Sequence, residues 1–152
     1  MKKIILKLGL PLLKLYWKIF KPQTNGVRAI LVKDNKILLV KHSYSDSWFL
    51  PGGGMKKGET FHQAIKRELF EELGISVENL KLHGIYNNFQ EGKIDLIFVF
   101  SSYSFSTPTK SDAEIEKFEF FDFENLPEKI SPGTKRRIDE FLQQKEGFCE
   151  DW

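Results

Sequence analysis

Residues 53–75 read GGMKKGETFHQAIKRELFEELGI, and the rest of the chain is best read outward from them. From Thr60 to Leu73 the apolar residues recur at helical spacing, with Phe61, Ala64, Ile65, Leu69 and Leu73 on one arc of the wheel. Thr60 with Gln63 three residues later forms a capping box, and Gly74 stands where a left-handed C-terminal glycine belongs. The helix carries one conflict. Glu68 and Glu72 fall inside the apolar arc and Glu71 lies at its edge, so three carboxylates at i, i+3 and i+4 project together from a face that otherwise looks inward. Like charges that close repel, and a half-buried carboxylate is costly without a partner. A divalent cation resolves both costs, and all-oxygen ligands favour magnesium or manganese over zinc. Taken alone, the same residues also fit a rotated helix with its glutamates in water.

The wider spacing decides between the two. From Gly53 the chain runs glycine, five residues, Glu59, seven residues, then Arg67-Glu68-Leu69-Phe70-Glu71-Glu72-Leu73-Gly74-Ile75. This resembles the Nudix box, the signature of hydrolases of nucleoside diphosphates linked to another moiety, with every defined position matched. At roughly 7% usage per residue, seven fixed identities would coincide at a given start about once in 10⁸, so chance is excluded as the source. The resemblance implies an α/β (α+β) fold, an α/β/α sandwich around a mixed sheet, and a pyrophosphohydrolase that uses Mg2+, with Mn2+ as a substitute. It implies Glu68, Glu71 and Glu72 as metal-binding carboxylates, with Glu71 and Glu72 catalytic, and the Gly53 carbonyl as a further ligand. Glu59 and Arg67 are implied to pair and orient the helix against the loop, while Leu69, Leu73 and Ile75 are core.

A further carboxylate in this family often comes from a loop after the box, as ligand or general base. The segment Asp112-Ala113-Glu114-Ile115-Glu116 resembles that loop, and Glu114 is the expected residue; an exposed acidic turn has the same composition. Arg28, Tyr44, Tyr86, Asn87 and Phe89 are candidates for contact with a base or sugar. The box fixes the diphosphate chemistry and leaves the attached group open. The proline that marks some ADP-ribose-cleaving members is missing between Gly84 and Gly92, and Tyr86 comes too early for the tyrosine of dinucleoside-polyphosphate members. The triple glycine, the Trp48-Phe49-Leu50-Pro51 entry and Thr134-Lys135-Arg136-Arg137 look most like small bacterial members acting on nucleoside diphosphate sugars or related, ADP-ribose-like compounds. A nucleoside triphosphate, the 5′ end of RNA, and a catalytically silent binding module are the other readings.

Around this centre, Val27 to Val32 and Lys36 to Val40 alternate as a hairpin turned at Asp34-Asn35, and Trp48 to Leu50 is a short extended piece. Strands are expected at Lys81 to Tyr86, Ile94 to Tyr103 and Phe118 to Phe123, and a closing helix at Thr134 to Lys145. The expected division is a basic leader over 1–22, the catalytic domain over 23–146 and a tail over 147–152.

The 152 residues suffice for one domain, and the single cysteine, Cys149, excludes an intramolecular disulfide framework or a cysteine-based zinc site. A reducing, cytoplasmic setting is expected. Residues 1–33 carry eight positive charges and no negative one, so a net charge of +2 leaves −6 on residues 34–152. That balance gives no reason to expect stable nucleic-acid binding. In the leader, Lys3, Lys7, Lys14, Lys18 and Lys21 form one narrow stripe on an otherwise apolar helix that Gly9 and Pro11 interrupt. Three covers suit residues 1–21: an anionic membrane inner face with peripheral association, a second copy in a homodimer, or the acidic body of the same chain.

Overall fold

The computed structural model describes residues 23–89, 94–109, 113–145 and 147–152, the first three of the last stretch by backbone alone. The amphipathic helix expected over 1–21 and the acidic residue Asp112 lie outside the described residues. The chain order is β1 (Gln23–Lys33), β2 (Lys36–His42), β3 (Trp48–Phe49), α1 (Phe61–Leu73), β4 (Val77–Glu78), β5 (Lys81–Asn88), β6 (Ile94–Ser102), β7 (Ser104–Phe105), β8 (Ile115–Asp122), α2 (Pro132–Leu142) and β9 (Gly147–Asp151). Among the described residues no helix is long and apolar enough to cross a membrane.

Alternation along β1 builds the two faces of the sheet. Val27, Ala29 and Leu31 join Ala64, Ile65, Leu69 and Leu73 of α1 in one buried cluster. Ile30 and Val32 join Ile37, Leu39, Val99 and Ile138 of α2 in another. Because side chains of a strand point to opposite faces in turn, one apolar strand supplies both cores. The result is the expected α/β/α sandwich. Its main sheet runs β3-β2-β1-β6-β5-β9 with β8 also paired to β2, and β1 with β6 and β5 with β9 are parallel pairs in an otherwise antiparallel sheet.

The β1–β2 hairpin places the functional loop. It turns at Asp34 and Asn35, both with positive φ, and pairs only at Val32–Ile37 and Lys33–Lys36 before the strands part. Beyond that point β3 takes the place of β1 beside β2, at Val40–Phe49 and Lys41–Trp48. The chain after β3 then fills the gap beside the first half of β1. Ala29 N–H donates to the Pro51 carbonyl and Val27 N–H to that of Gly53, while Met55 N–H donates to the Asn25 carbonyl. The glycine run is therefore held in the sheet by backbone bonds to β1.

Several boundaries differ from the sequence reading, β1 for example beginning at Gln23 rather than Val27. The closing helix begins at Pro132, two residues earlier than expected, because the Ser131 side chain caps it and proline is preset for a first turn. It ends at Leu142 because Gln144 has left-handed φ. The strand expected from Phe118 starts at Ile115, so Glu116 belongs to β8 and, of the expected acidic loop, only Ala113 and Glu114 are described residues before it. The stretch expected as a tail forms β9, parallel to β5, with Trp152 packed into the α2-side core. The β4–β7 pair has two residues on each side, too few to leave a periodicity in the sequence.

Candidate active site

Helix α1 forms as read. The Thr60 hydroxyl accepts from Gln63 N–H, the Gln63 side chain accepts from Thr60 N–H, and Gly74 closes the helix in the left-handed region. The three carboxylates divide by depth. Glu72 is 5% exposed and accepts a hydrogen bond from Gly52 N–H at 2.9 Å. Glu68 is half-buried and Glu71 is exposed. The wheel's placement of Glu72 within the apolar arc and Glu71 at its edge is thus what the fold does with them.

Two glycines make the approach of helix and loop possible, for different reasons. A Cβ on Gly53 would lie 2.6 Å from the Glu68 carboxyl group, the far end of a flexible side chain, so a larger residue there would push that carboxylate out of its place. A Cβ on Gly52 would meet the Val27 carbonyl oxygen at 2.3 Å, and its φ of +127° is a conformation L side chains rarely adopt. The requirement at Gly52 was not visible in the sequence, because it depends on β1 lying alongside.

Arg67 gathers the acidic groups. Its Nε donates to Glu59 Oε2 at 3.0 Å and its Nη2 to Glu59 Oε1 at 2.6 Å, a two-point pair. Nη1 donates to Glu68 at 2.7 Å and to Glu71 at 3.0 Å, and Nη2 also reaches the Gly54 carbonyl at 3.0 Å. The pairing of Glu59 with Arg67 across the loop–helix junction is therefore present. Hydrogen bonds from Arg67 and from Lys56 N–H hold the Glu59 carboxyl down at about 2. The Glu59 carboxylate above all, with Glu68 and Glu71, holds the Arg67 guanidinium above its ordinary value. At Glu71 partial burial opposes ionisation, but the Lys56 ammonium, 3.2 Å away, and Arg67 outweigh it and lower its pKa.

In this set Glu59, Glu68, Glu71 and Glu72 contribute four carboxylates, while Arg67 and Lys56 contribute two positive charges. The excess of two negative charges and the hard-oxygen donors, with the Gly53 carbonyl alongside, fit a divalent cation in chemistry. The arrangement is not a finished cage. Among the described residues no three acidic, histidine or cysteine side chains are already gathered to hold a metal, because Arg67 and Lys56 sit on Glu68 and Glu71 while Glu72 bonds Gly52.

Beside the loop opens a cleft of about 560 Å³, lined among others by Thr24, Asn25, Arg28, Lys56, Lys57 and Asp95 together with Gly53 and Gly54. Of the proposed substrate contacts, Arg28 is brought there, its Nη1 bonding the Val27 carbonyl at 2.9 Å. Tyr86 is not. Its ring is fully buried on the α2 face, 3.8 Å from the Arg137 guanidinium, with its hydroxyl donating to Glu140 at 3.0 Å, so it is a core residue. Asn87 gives its backbone carbonyl to Trp152 N–H, Phe89 stands exposed just past β5, and Tyr44 stacks on His42 at 5.0 Å; none of the three lines the cleft. Glu114 is exposed just before β8, its carbonyl accepting from Ser43 N–H at 2.8 Å, and it too is outside the cleft lining. Sequence reasoning passed over Lys56, Lys57 and Asp95. The first two sit at variable positions of the box, and Asp95 reaches the loop only through the parallel pairing of β6 with β1.

Comparison with known proteins gives the family. The NUDIX domain family model matches residues 22–141. An ADP-ribose pyrophosphatase of Methanocaldococcus jannaschii is 33% identical over 153 aligned residues, covering 96% of this chain and 86% of that relative. A NUDIX hydrolase from Nitrosomonas europaea superposes with a TM-score of 0.72 at 27% identity, over 82% of this chain and 92% of that one. The MutT protein from Bacillus halodurans gives 0.70 at 28%, over 84% and 90%. The chain belongs to the Nudix hydrolase family and is a pyrophosphohydrolase. Enzymes of this family generally use a divalent cation.

Proposed function

We propose that the protein is a magnesium-dependent hydrolase of a nucleoside diphosphate linked to another moiety, with a nucleoside diphosphate sugar or ADP-ribose-like compound as substrate. Water adds across the diphosphate bridge to give a nucleoside monophosphate and a phosphorylated remainder. The observation that carries this reading is the adjacency of the Gly53–Glu68 contact to a cleft that carries Arg28 on β1 and Lys56 and Lys57 on the loop. Those cations suit a chain of phosphates, and the carboxylates on α1 suit Mg2+ or Mn2+. When bound, the cation neutralises charge on the diphosphate. The chain's own residues hold the loop against the helix through Arg67 and Glu72 and orient the phosphates through Arg28; Glu114, which stands outside the cleft lining, would take the proton of the attacking water only with its loop drawn to the cleft.

The test is hydrolysis of a nucleotide panel with magnesium, with products read by mass. The panel holds ADP-ribose, diphosphate sugars, nucleoside triphosphates and 5′-triphosphorylated RNA. A monophosphate plus a sugar phosphate supports the reading. Pyrophosphate release from a triphosphate or from RNA replaces it with a sanitising or RNA 5′-end role, and no turnover of any member replaces it with a silent binding module. For residues 1–21 we propose a peripheral, salt-sensitive association with anionic membrane in a cytoplasmic setting, read by vesicle sedimentation of the full chain against a chain starting at Gln23, which keeps all of β1. A homodimer made by the leader would instead appear as a concentration-dependent mass that the shorter chain lacks.

A further inference from the structure

The cleft has two chemically different sides. The loop side carries Lys56 and Lys57, whereas the strand side carries Thr24, Asn25 and Arg28 of β1 and Asp95 of β6. Thr24 and Asp95 are direct partners in the parallel register, and the Thr24 hydroxyl donates to Asp95 Oδ1 at 2.7 Å. That bond helps orient the carboxylate, whose Oδ2 lies on the side of Gly26. A Cβ placed on Gly26 would lie 3.8 Å from Asp95 Oδ2 and 3.7 Å from the Gly53 carbonyl oxygen. The missing side chain at Gly26 thus forms an open floor between the carboxylate and the box loop, narrow enough for one small group to touch both. Among the described residues lining the cleft no aromatic ring is present, and Met55 is the one large apolar side chain.

A cleft for a stacked base needs a ring or a broad apolar wall. A cleft with a carboxylate, an amide and a hydroxyl beside cations suits a group that offers several hydroxyl donors close to a phosphate, because a carboxylate accepts up to about four hydrogen bonds and donates none. We infer that Asp95, oriented by Thr24, accepts hydrogen bonds from the hydroxyls of the glycosyl group attached to the diphosphate and so sets the preference for a sugar-linked substrate. This rests on the reading of the protein as a hydrolase of diphosphate-linked compounds. Thr24 acts through Asp95 and is a positioning residue.

The experiment measures affinities of the full chain by calorimetry, in calcium to slow turnover, for two pairs that differ by the glycosyl group: ADP-ribose with ADP, and UDP-glucose with UDP. GDP is the fifth ligand, since a guanine edge could also donate to a carboxylate. The wild type is expected to bind the glycosyl member of at least one pair tenfold or more tighter than its partner. Asp95→Asn should remove most of that ratio while leaving ADP and UDP within about twofold, and Thr24→Val should reduce it by a smaller factor. A general loss of structure would weaken all five ligands together and leave the ratio unmoved. Equal affinity of the wild type within both pairs, including none, overturns the inference, as does an Asp95→Asn loss that is the same with and without the glycosyl group. A loss confined to GDP also overturns it, in favour of a base contact. If the ratio behaves as expected but magnesium gives no hydrolysis of the panel, the glycosyl contact stands and the hydrolase substrate assignment fails.

Discussion

The Glu68 carboxylate packs directly over the Cα of Gly53, so closely that a single added methyl group at Gly53 would lie 2.6 Å from it. Gly53 has no positive φ, so Gly53→Ala meets no backbone strain and its cost falls on the position of Glu68. The expected outcome is a turnover lowered by about 10²-fold or more with a melting temperature close to wild type, since a displaced charged group is worth several kcal/mol of transition-state stabilisation. Steady-state kinetics and a thermal melt check it, and wild-type turnover would separate the contact from catalysis.

Gly52→Ala should behave in the opposite way. Its φ of +127° and the 2.3 Å approach to the Val27 carbonyl put the cost into the fold. Backbone strain alone is about 1–3 kcal/mol, which for a domain of this size lowers the melting temperature by roughly 2–12 °C before the clash is added. A thermal melt unchanged from wild type would contradict the loop geometry.

Glu71→Gln and Glu72→Gln should each lower turnover by about 10²- to 10⁴-fold through the loss of a ligand charge. Their stabilities should separate them. Glu71 is exposed, and its replacement lowers the melt only slightly, whereas Glu72 is buried on Gly52 N–H and its amide keeps only the weaker neutral hydrogen bond. Glu114→Gln should lower turnover by about 10²-fold or more and flatten the acid limb of the pH–rate profile if Glu114 takes the proton. An unchanged profile would move that role to another residue.

The Glu59–Arg67 pair predicts an acid response. Glu59 titrates near 4.5 when unfolded and at about 2 in the fold, so the stability it contributes is fully present above about pH 4.5 and is lost as pH falls toward 2. Denaturant melts of wild type and Glu59→Gln should therefore differ by a constant amount at neutral pH and converge in strong acid. A gap that stays constant down to pH 2 would sink the assignment.

Tyr86 predicts an alkaline response. Burial first, then the charge of Glu140 and the hydrogen bond to it, raise the phenol above its ordinary value near 10. A raised phenol is neutral in the fold, so its contribution is complete below about pH 10 and is lost as pH rises beyond that. Tyr86→Phe should cost about 1 kcal/mol at neutral pH for the lost bond to Glu140 and should lose less stability than wild type above pH 10. Equal alkaline slopes would contradict the buried placement.

The sequence by itself determined the helix Phe61–Leu73, its caps, the depth order of Glu72 and Glu71 and the hairpin at Asp34-Asn35, because each depends on residues within a few turns of one another, while the Glu59–Arg67 pair was legible only through the family resemblance. The α/β/α layering was legible through the resemblance and the alternation of β1. Contacts between distant segments were decided only by the tertiary structure. Gly52 must be glycine because Val27 lies beside it, Asp95 reaches the cleft because β6 runs parallel to β1, and Tyr86 is core because α2 and Trp152 close over it. The segment 147–152 is a strand because β5 presents an edge for it to pair with. Local pattern records how a segment satisfies its own backbone and its own face; which segment covers that face is fixed by long-range pairing, which leaves no period in the chain.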